Sequence, residues 1–418
     1  MSRTKMRTGL IAALDVGTSK VACFIAHAGD DGRLEVLGVG HQRAQGMRNG
    51  QVVNMDRVEA AIRAAVEGAE QMAGQRIDSV LLSVNSGQPH STRAEIDLAL
   101  DGHEIRDSDV ARVLDHARAL SDGPERDLIH CIPTTYTIDG GDGIVDPRGM
   151  FGQRLGVHIH LVTAAAGPVR NLALAVERAH LAIEGRVVAP YASGLSCLVE
   201  DEREMGAILI DIGGGTTSFA VFLDNQMVFV DSLPVGGNHV TNDIAKGLST
   251  PLANAERLKT VYGNCLPSPS DQREFLKVPL VGEDEESSAN EVPRSMLINI
   301  IRPRLEETLE LVRHHLEHAG LSHVAGRRVV LTGGGSQLSG IRELAEMVLD
   351  KQVRLAQPQR LLGLPDSVGG PAFATAAGLL RYGQKVHVEA PAHPEPARRA
   401  DGSGGRLGRL GRWLKENF

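Results

Sequence analysis

Two apolar runs, residues 9–14 (GLIAAL) and 21–26 (VACFIA), flank the turn DVGTS and predict a pair of buried strands. A third strand is predicted near 34–39. Apolar positions then take helical spacing over 56–73 (DRVEAAIRAAVEGAEQMA), with Asp56 as the expected N-cap, and 79–84 (SVLLSV) returns to strand. The texture changes over 85–164. A strand at 94–100, a helix at 107–119 opening on Asp107, and strands near 128–138 and 156–163 predict a small inserted α+β module. Helix 168–180, strand 186–190 and helix 191–200 follow.

A second strand–turn–strand unit begins at 207 (AILIDIGGGTTSFAVFL). Beyond it the pattern predicts two helices within 234–264, a Pro- and acid-rich loop over 265–293 and a long helix over 294–319. A strand at 328–332 ends in three glycines, and helices are expected at 338–349 and 371–382. Residues 384–404 hold Pro391, Pro394 and Pro396 without hydrophobic period and predict a flexible linker, after which 405–418 regain pattern. The turns Asp15-Val-Gly-Thr-Ser and Asp211-Ile-Gly-Gly-Gly-Thr-Thr are far apart in the chain, yet each joins two strands. Their likeness predicts two α/β halves facing each other across a cleft.

Bulk properties narrow the function classes. With 418 residues the chain is long for a single core and suggests several domains. A net charge of −8 argues against general nucleic-acid binding, which needs a basic footprint. The charge is uneven: residues 398–418 carry six basic side chains against Asp401 and Glu416, a basic tail that invites an anionic surface. Cys23, Cys131, Cys197 and Cys265 are widely spaced with no C-x-x-C pair, which predicts free thiols in a reducing compartment. The N-terminus runs into a strand without a leader pattern, and no apolar stretch is long enough to span a bilayer, so the expectation is a chain neither exported nor membrane-spanning.

A Gly- and Thr-rich turn between two strands points several backbone N–H groups at one place, a nest suited to phosphate oxygens. An Asp ending the preceding strand can hold hydrated Mg²⁺, a hard cation that prefers oxygen. Asp15 and Asp211 stand at that position. Alone, each turn also reads as an ordinary hairpin. The third element, Thr332-Gly333-Gly334-Gly335-Ser336, reads either as a tight strand-to-helix turn or as bare backbone for an adenosine to lie against. No G-x-x-x-x-G-K-[ST] occurs and no G-x-G-x-x-G follows a first strand, which excludes P-loop and Rossmann readings. The histidines, His158, His160, His314 and His318 among them, lack a metal-binding or triad motif and read as structural or surface residues.

Two Gly- and Thr-bearing D-x-G turns with a late T-G-G-G turn resemble the superfamily of actin, heat-shock ATPases and sugar kinases. Within it the local sequences resemble the FtsA family. IPTTYTIDG (132–140) with DPRGMFGQRL (146–155) is similar to that family's inserted subdomain. QGMRNGQVVNMD (45–56), VGGNHVTNDIAKGL (235–248), TPLANAERLKTVYG (250–263) and RPRLEETLELVRHHL (302–316) are similar elsewhere, while 86–100 departs from the usual family wording. The resemblance spans about 8–383 and implies an α/β, actin-like two-lobed ATPase fold with an inserted SHS2-like α+β subdomain and a C-terminal amphipathic helix. The implied division is 1–84 plus 165–195 in the first lobe, with residues near 360–383 returning to it. The insert is 85–164, the second lobe core 196–232 plus 305–359, a further subdomain 233–304, the linker 384–404 and the membrane helix 405–418.

The resemblance also implies ATP and Mg²⁺ as cofactors. Gly17, Thr18, Ser19 and Lys20 would form the first phosphate loop, and Gly213, Gly214, Gly215, Thr216 and Thr217 the second. Asp15 and Asp211 would place Mg²⁺ through water. Gly237, Asn238 and Asp243 would sit near sugar and phosphates, Glu256 and Lys259 would contact the adenosine, and Gly334, Gly335 and Ser336 would close over it. Lys20 also reads as an exposed strand lysine, and Glu256 with Lys259 as a surface pair three apart on a helix. Hydrolysis needs a residue that orients water, and none is assignable; the resemblance implies slow or conditional ATPase activity with the nucleotide acting as a polymerisation switch.

In the final segment Leu407, Leu410, Leu414 and Phe418 share one helical face with Trp413 at its edge, while Arg409, Arg412 and Lys415 lie on the other side. A basic amphipathic helix with a Trp is the signature of interfacial membrane binding. A packing helix docked on the protein's own body is the competing reading. Glycines in the segment cost about 1 kcal/mol each in helix propensity, and each basic residue near anionic lipid contributes on the order of 1 kcal/mol. One tail binds weakly; a filament of tails binds through avidity. The partners the resemblance implies are the FtsZ C-terminal peptide through 233–304, further copies of the chain, later division proteins such as FtsN through 85–164, and the cytoplasmic face of the membrane at the septum. A metabolic kinase of the superfamily and an adaptor resembling PilM remain as alternatives, though neither accounts for the tail.

Overall fold

The computed structural model describes residues 7–120, 124–282, 290–321, 326 and 328–385. The expected linker beyond Lys385, the tail 405–418 and most of the acidic run 283–291 lie outside these residues.

Two five-stranded sheets share one topology. In the first, the spatial order is Ala182–Val188, Ser79–Val84, Gly9–Val16, Lys20–Ala28, Leu34–Arg43. In the second it is Gln352–Leu355, Arg328–Thr332, Ala207–Ile212, Thr217–Leu223, Gln226–Leu233. Each central strand pairs antiparallel with the strand that follows it and parallel with the one on its other side. These centres are buried on both faces, which is why they read as unbroken apolar runs. Ala12, Leu14 and Val16 enter a core with helices Met55–Ala73 and Ala166–Arg178, while Ile11 and Ala13 enter another with helices Ala189–Cys197 and Ala374–Gln384. Likewise Ile208, Ile210 and Ile212 face helices Gly237–Gly247, Leu252–Tyr262, Arg294–His318 and Ile341–Leu349, and Ala207 and Leu209 face inward toward Phe222 and Val330.

Between Val84 and Ala166 the chain leaves the first sheet and builds a four-stranded antiparallel sheet, in the order His90–Ala99, Arg154–Ala165, Arg126–Ile138, Gly141–Ile144. Helix Asp107–Leu120 covers one face through Val110, Val113, Leu114 and Ala117. The module's edge strand and the strand beside it meet the second lobe's edge strand: the Val230 N–H donates to Ser91 Oγ (2.7 Å), and His160 Nδ1 lies 2.8 Å from Met227 O.

Several sequence expectations need correction. Asn54, not Asp56, caps helix Met55–Ala73: its side chain accepts from Arg57 N, leaving Asp56 in the first turn. The strand expected at 186–190 runs Ala182–Val188, and the next helix starts at Ala189. The loop expected at 265–293 contains an antiparallel pair, Phe275–Val278 with Asn290–Pro293, that buries Leu276, Val278 and Val292. The helix expected at 338–349 starts at Ile341, because Gly340 has φ +76°. Helix Ala374–Gln384 takes in the first residue assigned to the linker, since the Gln384 amide is buried and donates to Gly32 O (2.7 Å).

Candidate functional site

The repeated topology brings the two aspartate turns together. In each, a glycine N–H closes the hairpin by the same bond: Gly17 N donates to Lys20 O and Gly213 N to Thr216 O, both 2.9 Å. The first turn lies against the second. A Cβ on Gly214 would come within 1.8 Å of Ser19 Oγ, and one on Gly215 within 2.5 Å of Thr18 Oγ1, so only glycine permits this approach. Ser19 Oγ reaches Asn238 Oδ1 across the lobes at 3.4 Å, and Thr18 Oγ1 accepts from Gly50 N (2.9 Å). The start of helix Gly237–Gly247 is stitched to the second turn, with Gly237 N donating to Gly213 O (2.9 Å) and Asn238 N to Gly214 O (2.7 Å). Thr216 and Thr217 are buried, and Thr217 Oγ1 has no hydrogen-bond partner among the described residues.

Both aspartates are buried. Asp15 Oδ1 accepts from Ser83 Oγ (2.7 Å), and Asp211 Oδ2 accepts from Ser193 Oγ (2.7 Å). Burial pushes the Asp211 carboxyl up to about 6; the Ser193 bond offsets part of this and the Asp15 charge adds to it. Burial raises Asp15 as well, against the Ser83 bond and the Lys20 charge. Lys20 is not an exposed strand lysine. Its Nζ lies 3.7 Å from the centre of the Phe373 ring, and burial lowers its pKa against the pull of Asp15 and Asp211. Two buried carboxylates with one partly compensating ammonium make an oxygen-rich, electrostatically deficient pair. That donor set fits a hydrated divalent cation such as Mg²⁺.

The third turn folds over the second aspartate. Gly333 has φ +85°, and a Cβ there would stand 2.3 Å from Asp211 Oδ1. Beyond it a cavity of ≈ 310 Å³ is lined by Gly237, Lys259, Gly334 and Gly335, with Ile212, Val240, Leu305 and Leu338 as apolar walls. Lys259 Nζ donates to Glu256 Oε2 (2.7 Å), Thr241 Oγ1 (2.9 Å) and Gly237 O (3.2 Å), so it is tied into the cavity wall rather than loose at the surface. Apolar walls with a few fixed polar groups suit a flat heteroaromatic ring. Ser336 does not line the cavity; its hydroxyl donates to Gly333 O (2.8 Å) and fixes the turn. Asp243 is engaged by Arg304 Nε (2.6 Å) and is not among the lining residues. Sequence reasoning missed Ser83, Ser193, Phe373 and Thr375. They come from three separate segments, and a lone hydroxyl or ring in an apolar run carries no local signal.

A family model described as "Cell division protein FtsA" matches residues 208–378, and one described as "SHS2 domain inserted in FTSA" matches 86–163. The chain is similar to the cell division protein FtsA of Rhizobium meliloti, at 42% identity over 99% of this chain and 96% of that one. It is 35% identical to those of Pseudomonas aeruginosa and Escherichia coli, over 98% of both chains in each case. Among solved structures it is similar in fold to a PilM–PilN type IV pilus biogenesis complex (TM-score 0.63, 18% identity, 91% of this chain and 100% of that one). It is also similar in fold to MreB5 of Spiroplasma citri bound to ADP (TM-score 0.52, 14% identity, 89% and 95%).

Proposed function

The chain belongs to the FtsA family of cell division proteins and has an actin-like fold, and from that premise we propose that it clasps Mg²⁺–ATP between its lobes to control assembly on a membrane. One observation carries this reading: two hairpin turns of the same construction, one per lobe, meet with their aspartates buried beside the glycine-backed cavity. The fold neighbour MreB5 bound to ADP, and the same protein bound to AMPPNP, support an adenine nucleotide as ligand. Asp15 and Asp211 hold the cation through water, the two turns take the phosphates, and the cavity beside Lys259 takes the base. Bound metal supplies charge neutralisation of the phosphates. Lys20, held at Phe373, adds a fixed positive charge to the same place.

The nucleotide bridges both lobes and so favours the closed form; filament contacts that also need the closed form are strengthened by linkage. The filament lies on the inner face of the cytoplasmic membrane at the septum, held by the tail residues Leu407, Arg409, Leu410, Arg412, Trp413, Leu414, Lys415 and Phe418, which lie outside the described residues. It anchors the FtsZ ring through the FtsZ C-terminal peptide on 233–304, and receives later division proteins such as FtsN on the insert, 85–164. Hydrolysis is at most weak or conditional, since no residue that would orient the attacking water is assignable, and the nucleotide acts mainly as a polymerisation switch. Among the described residues no helix is long and apolar enough to cross a membrane. Co-sedimentation with anionic vesicles tests the reading: ATP should raise pelleting over ADP or no nucleotide, and truncation before residue 405 should remove it. Equal pelleting in all three nucleotide conditions would defeat the switch.

A further inference from the structure

The two aspartates are held by different means. Asp15 is held within its own lobe: Ser83, on the strand running parallel beside it, donates to its Oδ1. In the second lobe the matching place is Thr332, which is Asp211's register partner on the parallel strand. Thr332 does not serve Asp211. Its hydroxyl turns to Ala356 O (3.1 Å), with Cys197 Sγ at 3.5 Å. Asp211 is instead held by Ser193, on helix Ala189–Cys197, which lies between the lobes: Ala192 belongs to the first lobe's core, while Gly194 backs onto Phe222 and Cys197 joins the core around Leu209 and Val330. Ser193 Oγ also meets Thr375 Oγ1 at 3.0 Å, and Thr375 Oγ1 lies 3.4 Å from Asp211 Oδ2. The one proton of Ser193 goes to Asp211, so Thr375 is the donor in the Ser193–Thr375 bond. A chain of hydroxyls thus runs Thr375 to Ser193 to Asp211. Ser193 is fully buried, and Thr375 opens helix Ala374–Gln384, which also packs in the first lobe's core.

We propose that Ser193 and Thr375 are positioning residues for Asp211, so that the second lobe's metal-facing carboxylate is aimed correctly only while the helix pair between the lobes stays docked on it. Closure of the lobes then sets the grip on the cation, and the cation in turn favours closure. A hydrogen bond to a carboxylate in a buried site is strong and directional, and its loss frees the carboxylate to turn. The inference rests on the Mg²⁺–ATP reading above.

The test is ATP binding to the full chain, followed with a fluorescent ATP analogue, with Mg²⁺ titrated and with EDTA. In Ser193→Ala and Thr375→Val the Mg²⁺ concentration for half-maximal binding should rise, by roughly tenfold for Ser193→Ala, the size expected for one lost hydrogen bond to a charged group. Affinity in EDTA should change less than about twofold, and Ser193→Thr should restore the Mg²⁺ dependence. Ser196→Ala is the structural control. Ser196 Oγ ties the same two helices by donating to Ala374 O (2.7 Å); it also lies 3.0 Å from the Ser193 backbone carbonyl but touches neither the Ser193 hydroxyl nor Asp211, so this variant should lower the melting temperature and leave the Mg²⁺ midpoint in place. An unchanged midpoint in folded Ser193→Ala, or an equal shift in Ser196→Ala, overturns the proposal. A wild-type chain that binds no ATP overturns the functional reading instead.

Discussion

Asp211 carries a heavy electrostatic burden, because burial raises its carboxyl to about 6 from an ordinary 3.8. The folded chain therefore binds this proton more tightly than the unfolded chain. Between those values nucleotide-free stability falls as pH rises, and it levels off above the folded value. Asp211→Asn removes the cost of the buried charge, by up to about 3 kcal/mol at pH 8, while its amide oxygen still accepts from Ser193. We expect the variant to melt above wild type at pH 8, with the gap closing as pH falls below 6, and to lose Mg²⁺-dependent ATP binding. Thermal melts at pH 5 and 8 check the first part. A gap that is constant with pH would mean that Asp211 is not the titrating group. Gly333→Ala should abolish ATP binding and cost about 1–3 kcal/mol, since alanine is strained at φ +85° and its Cβ collides with Asp211; a titration of the folded variant with a fluorescent ATP analogue reads this directly. The two aspartate hairpins were legible in the sequence because a glycine-rich turn between two strands is a local pattern. Lys20 was ambiguous for the opposite reason: its partner ring, Phe373, arrives from the far end of the chain.

Elements were more legible than their ends. The apolar run at 207–212 and the helical spacing of 56–73 each survive into the structure because the period of burial is a property of many residues at once. Caps depend on a single side chain. Asn54→Ala should cost about 1 kcal/mol and Asp56→Ala less than half as much, because only Asn54 bonds a free helix N–H, and Asp56 instead makes a surface pair with Arg178. Chemical denaturation of the two variants decides between them. The strand Gln226–Leu233 escaped notice, since Asp231 and Ser232 interrupt its apolar pattern and its pairing with Thr217–Leu223 defines it. Helices Ala189–Cys197 and Ala374–Gln384 cross so closely that a Cβ on Gly378 would come within 1.7 Å of Ala192 O. Gly378→Val should cost about 3 kcal/mol or more, because both groups are backbone-fixed and neither can yield. A denaturation midpoint equal to wild type would show that the pair is not rigid.

At the scale of the molecule, the repeated aspartate turn foretold two like halves, and the matched strand orders are that repeat made structural. The junction was not foretold, because it is built from isolated contacts between distant segments, such as Ser193 with Asp211 and Ser91 with Val230. The proposed membrane role of the tail belongs to this scale as well, as it would depend on many copies acting together. Trp413→Glu should release filaments from anionic vesicles without changing ATP affinity, as co-sedimentation and an ATP titration would show side by side. The central claim is that one nucleotide is gripped from both lobes at once. Hydrogen exchange of the whole chain with and without Mg²⁺–ATP tests it most directly. Protection should rise together at 15–20, 211–217 and 332–337. Protection confined to the turns of one lobe, or absent from all three, would contradict the account.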